Sequence, residues 1–184
     1  MSPRPVALFA LLLACPSVRV PVAGPPASVE RRDAVVPELP PLVPVDLRVM
    51  RGDQVACALA ADGAISVGGV PYARMEARRV VAADGRVLAA LHGEGGIVFE
   101  GASRGGRLLA EGVIEGGDGQ RMALGDGGRV VFTDPAHAGE PVTLQTRVEG
   151  VTERSRREAV VLVAVLMFRE RAADLTPAAA RPSP

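Results

Sequence analysis

Residues 43–59 read Val43-Pro44-Val45-Asp46-Leu47-Arg48-Val49-Met50-Arg51-Gly52-Asp53-Gln54-Val55-Ala56-Cys57-Ala58-Leu59. Val43, Val45, Leu47 and Val49 fall two apart, Gly52-Asp53 marks a turn, and Val55, Cys57 and Leu59 resume the alternation. Apolar residues at a period of two line one side of an extended strand, so the stretch predicts a β-hairpin with one buried face. Turn signals recur downstream at Asp62-Gly63, Asp84-Gly85, Gly95-Gly96, Gly105-Gly106, Asp118-Gly119 and Gly127-Gly128, most of them 8 to 13 residues apart. Short β-compatible runs follow them: Ala64–Val67, Arg86–Ala89, Ile97–Glu100, Arg107–Ala110, Arg121–Leu124 and Arg129–Phe132, with a last alternating strand at Val142–Val148. Asp-Gly suits the positive φ of two-residue hairpin loops, so the connections are local and the sheet is an antiparallel meander, as a curled sheet or a sandwich.

One further run closes this pattern. Ala159 to Phe168 is apolar throughout; its valines favour a strand and its length a helix. The flanks decide for a helix at about residues 156–171: Ser155-Arg156-Arg157-Glu158 matches the capping box S-x-x-E, and Arg169 and Arg171 suit a helix C-terminus. Such a helix has no polar side and needs cover on more than one face. Either a sheet curls around it, which is the expected solution, or it covers the sheet with one side and a partner or second copy with the other.

Composition narrows the chemistry. Of 184 residues 48% are apolar, but only 3% are aromatic, and 21 are Gly and 16 Pro, which suits a turn-rich sheet domain. There is no Lys and no Asn, which excludes a P-loop lysine, Schiff-base chemistry and N-glycosylation. The formal net charge is zero, so no overall field draws the chain to nucleic acid. With Cys15 set aside as the lipid attachment that the end of the leader implies below, Cys57 is the sole remaining cysteine and no intrachain disulfide is available; in phase with Leu59, it reads as a buried, inert thiol.

The first 14 residues combine Arg4 with an apolar stretch from Val6 to Ala14, too short to span a bilayer and matching a secretory leader. It ends in Leu12-Leu13-Ala14-Cys15, which resembles the bacterial lipobox; the resemblance implies that Cys15 is acylated and becomes the new N-terminus. Eight prolines lie between residues 16 and 44, so residues 15–42 read as a semi-rigid tether able to hold a domain roughly 80 Å from a membrane. The expected organisation is a leader at 1–14, a tether at 15–42, a β-meander domain with its helix at 43–173, and a disordered tail at 174–184. The lipobox, the Asp-Gly-x-Val repeats and the closing Arg156-Arg157-Glu158-Ala159-Val160-Val161-Leu162 together resemble uncharacterised lipoproteins of myxobacteria and similar GC-rich bacteria. That resemblance brings no activity or site residue with it.

Three motifs invite a chemical reading. Gly101-Ala102-Ser103-Arg104-Gly105 matches the nucleophile elbow G-x-S-x-G, with Asp134 and His137 following in hydrolase order. The elbow needs a strand-to-helix turn on a parallel sheet, whereas strand-like runs flank Ser103 on both sides, so the expectation is a glycine-rich turn and no enzyme. Gly116-Gly117-Asp118-Gly119-Gln120-Arg121 approaches a calcium nonapeptide but puts Arg121 where an Asp ligand belongs. His92 and His137 stand at no metal-ligand spacing. No metal and no cofactor are therefore expected. Arg154, Arg156, Arg157, Arg169 and Arg171 flank the apolar helix and are the candidate interaction surface. The sequence thus predicts an exported, lipid-anchored, non-catalytic protein of the periplasm or cell envelope, structural or binding another envelope protein. A ligand-binding module and a small serine hydrolase using Ser103 are the alternatives.

Overall fold

The computed structural model describes residues 38–102, 105–135 and 140–175, with side chains as far as Arg171. Twelve strands succeed one another: β1 (Leu47–Arg51), β2 (Gln54–Leu59), β3 (Ala64–Val67), β4 (Val70–Met75), β5 (Arg79–Ala82), β6 (Val87–His92), β7 (Gly96–Phe99), β8 (Gly106–Leu108), β9 (Ile114–Gly116), β10 (Arg121–Leu124), β11 (Arg129–Thr133) and β12 (Pro141–Glu149), followed by helix α1 (Arg156–Leu175). Each strand pairs antiparallel with the next, and β12 returns to β1 through Arg48↔Glu149 and Val49↔Val148. The expected meander is present as a closed barrel, which leaves no sheet edge unpaired.

Alternation decides which side chains face inward. Leu47, Val49, Leu59, Ile65, Val80, Ile97, Leu108 and Val130 are all at most 2% exposed, while Arg48, Arg74, Arg107 and Arg121 point to solvent from between them. Ala159 to Leu166 form an unbroken run of eight helical residues, none more than 4% exposed. Eight residues make more than two turns, so every side of this stretch is covered. The cover is the barrel wall, because strand and helix residues form one continuous apolar cluster. Helix residues also reach strands spaced around the ring: Arg156 to Leu124 of β10, Phe168 to Phe99 of β7, Arg169 to Tyr72 of β4 and Glu170 to Arg51 of β1. The helix therefore threads the barrel and fills it.

Several expectations are corrected. Val43 and Val55 were placed on the buried face but are 61% and 44% exposed. Strand β1 starts only at Leu47, and the β1–β2 register slips between Val49, opposite Cys57, and Met50, opposite Val55; the extra residue, Ala56, is a bulge that turns Val55 outward. Strands β4, β5 and β9 lie outside the predicted runs. Pro71 disguises β4, where a register shift against β3 accommodates it. The capping box falls one turn earlier than expected: Thr152 and Ser155 cap each other reciprocally, and Glu158 is used elsewhere. Residues 38–42, read as the end of a tether, pack onto the barrel, with Leu42 only 2% exposed.

Candidate interaction surfaces

The two barrel ends differ in how they are finished. The proximal end, where α1 begins, carries the turns that follow even-numbered strands, and these turns are tightly closed. The strap Glu38–Pro44 crosses it. Leu42 inserts its side chain and donates its N–H to the Ala77 carbonyl at 2.7 Å, Glu38 forms an ion pair with Arg78, and Leu39 lies over Gly95, where a Cβ would approach its Cδ1 to 2.7 Å. Gly95 holds φ at +92°, so glycine suits the turn on both counts.

Two buried charges on the first turn of α1 hold the strap's backbone. Arg157, 7% exposed, donates from Nη2 to the Pro40 carbonyl at 2.8 Å, and Glu158, 3% exposed, accepts the Val43 N–H at Oε1 at 2.9 Å. Arg157 Nε and Glu158 Oε2 are buried without a hydrogen-bond partner. Burial lowers the Arg157 guanidinium pKa from its ordinary value; the Glu158 carboxylate opposes the shift and Arg78 adds to it.

The distal end, where α1 emerges, is polar at its turns and apolar on its rim. Arg86 bridges Asp84 at 2.7 Å and Glu100 at 2.8 Å; its hydrogen bonds lower the Asp84 carboxyl pKa. Arg51 and Glu170 pair at 2.5 Å. The Arg169 guanidinium lies 5.1 Å from the Tyr72 ring centroid, a cation–π geometry. Burial raises the Tyr72 phenol, with Arg169 and Arg86 opposing. Phe99 and Phe168 stack with centroids 4.6 Å apart. Val55, Val70, Val87 and Val142 open even-numbered strands at this end, and with Val98 and Met167 they make six of the seven exposed large apolar side chains among the described residues. Exposed apolar surface is thus concentrated at one end.

The expected site residues scatter. Cys15, Ser103 and His137 lie outside the described residues. Of the elbow's setting, the flanking strands β7 and β8 pair antiparallel with each other, and among the described residues no helix lies between them. Asp134 takes a 3.4 Å hydrogen bond from Gln120. Arg121 pairs with Glu115 across the outer wall at 3.1 Å, and among the described residues no three His, Cys, Asp or Glu side chains converge as a metal site. The five arginines do not form one surface. Arg154, Arg156 and Arg157 stand at the proximal end, where Arg157 is buried and Arg156 binds the Leu124 carbonyl at 2.9 Å; Arg169 and Arg171 stand at the distal end. A helix that threads a barrel delivers its two ends to opposite faces. Across the outer wall of β1 to β4 lies an open depression of about 770 Å³ bordered by Arg48, Ala58, Ser66, Pro71, Ala73 and Glu149.

The strap escaped the sequence reading because its prolines read as linker; Leu39 and Leu42, three apart between them, were its only signal. Comparisons with protein-family models, curated proteins and solved structures return no match to this chain.

Proposed function

We propose that the protein is a non-catalytic lipoprotein of the bacterial cell envelope, anchored through Cys15, whose barrel has a structural or partner-binding role; the lipobox and the Asp-Gly repeats, with their resemblance to myxobacterial lipoproteins, support that placement. The observation that carries the non-catalytic part is the filled interior: a barrel commonly offers its lumen to a ligand, and here the eight-residue buried stretch of α1 occupies it. The antiparallel pairing of β7 and β8, the strands before and after Ser103 in the chain, supports it too, since an elbow depends on a helix N-terminus beside the nucleophile. The exposed valines of the distal rim support the partner-binding half.

The test has two parts. Cells labelled with a fatty-acid analogue should incorporate it into wild-type protein and not into Cys15→Ala, which should stay unprocessed; protein recovered cleaved but lipid-free defeats the anchoring. A photocrosslinking residue at Val70 should give adducts with another envelope protein, and one at Arg107 should not. Saturable ester or peptide hydrolysis lost in Ser103→Ala would instead establish the hydrolase reading.

A further inference from the structure

The strap satisfies only half of what holds it. Arg157 and Glu158 each give one atom to its backbone and keep another buried atom unpaired, which is a costly arrangement in an interior. None of the twelve strand pairings includes residues 38–44, and β1 begins three residues beyond Pro44. Lifting the strap therefore breaks no ladder of the barrel. The recognition is also generic: a carbonyl for Arg157, an N–H for Glu158 and a leucine side chain for the buried place that Leu42 takes. Pro40, Pro41 and Pro44 hold the segment extended before it docks, which reduces the ordering entropy.

We propose that the proximal end is an acceptor site for an extended, leucine-bearing segment, that the strap Glu38–Pro44 is its internal occupant, and that the same segment of a second copy can take its place. Exchange between copies breaks and remakes the same bonds, Arg157 to the residue-40 carbonyl and the residue-43 N–H to Glu158, so nothing in the contact set favours one chain over the other. The tethered strap has the advantage of local concentration. The inference does not depend on anchoring at Cys15.

The probe is a fluorescent peptide spanning residues 36–45, Val-Pro-Glu-Leu-Pro-Pro-Leu-Val-Pro-Val, titrated into the full chain carrying Leu42→Asp, in which the chain's own strap is expelled. Leu42→Asp should remain a folded monomer and bind the peptide saturably. Wild type should bind it at least about 10-fold more weakly, because its own strap competes at high effective concentration. A peptide carrying the same Leu42→Asp change should not bind. An unfolded Leu42→Asp chain, a folded one that ignores the peptide, or equal binding of both peptides overturns the proposal. Hydrogen exchange on wild type is an independent check: the Leu42 and Val43 amides should exchange at least about 10-fold faster than those of Val49 and Val130, since a releasable strap opens without global unfolding. Equal protection at all four would show the strap to be part of the cooperative core and would equally overturn it.

Discussion

A Cβ at Gly128 would collide with the Val148 carbonyl oxygen, whereas one at Gly127 would meet nothing within 4 Å, although both glycines hold positive φ, +73° and +63°. The pair separates backbone strain from crowding. Gly127→Ala should cost about 1–2 kcal/mol from the left-handed backbone alone, and Gly128→Ala about 1–3 kcal/mol more, because β12 must shift to make room; urea melts of the two variants check the order. Cys57 behaves differently, through pH. Burial pushes its thiol from the usual 9.0 to about 12, with Arg169 pulling weakly the other way. The neutral thiol is the form the fold tolerates, so its contribution is complete below about pH 9, where the thiol is protonated whether folded or not. Between pH 9 and 12 the unfolded thiol ionises first, and stability is lost as pH rises. Urea midpoints at pH 7 and pH 10.5 should therefore fall further in wild type than in Cys57→Ala; parallel losses would show that the thiol is not desolvated.

At the scale of elements, what could be read in advance was whatever depends on neighbours in sequence. The alternation of Leu47 and Val49 and the Asp-Gly turns located most strands, because hairpin register is local. Strand β4 was hidden by a proline that a bulge tolerates, and Val55 was misassigned because a single extra residue, Ala56, reverses its face. The candidate surface was misjudged for a longer-range reason: five arginines near one apolar helix look like a cluster until the helix is known to run through a barrel. Likewise, Glu158 matched a capping box by spacing, while its partner, Val43, lies 115 residues away. That difference can be measured. Ser155→Ala should remove one reciprocal cap and cost about 1 kcal/mol. Glu158→Ala should strand the Val43 N–H, costing about 1–3 kcal/mol, and also leave Arg157 buried without its neighbouring carboxylate. If thermal denaturation finds the Ser155 variant to be the less stable, Glu158 is not holding the strap.

For the whole molecule, closure and filling depend on each other. A ring of short strands, three to six residues long except for β12, has little side-chain mass to fill its own centre, and a helix apolar on all sides has no stable exposed state. Each supplies the other's missing face, and Val163, 1% exposed in the middle of the buried helical run, sits where they meet. Burying a Val, Leu or Met side chain is worth about 1.5–3 kcal/mol, so the helical run contributes a large share of a typical domain stability of about 5–15 kcal/mol. Val163→Asp replaces part of that with a carboxylate that no described side chain is placed to pair, and an isolated buried charge costs more than such a domain can spare. The full chain with Val163→Asp should lose its cooperative melt, whereas Arg171→Asp, at an exposed position on the emerging helix end, should melt within about 0.5 kcal/mol of wild type. A Val163→Asp chain that stays monomeric with an unchanged melting temperature would mean that the barrel stands without its helix and that the centre of the molecule has been placed wrongly.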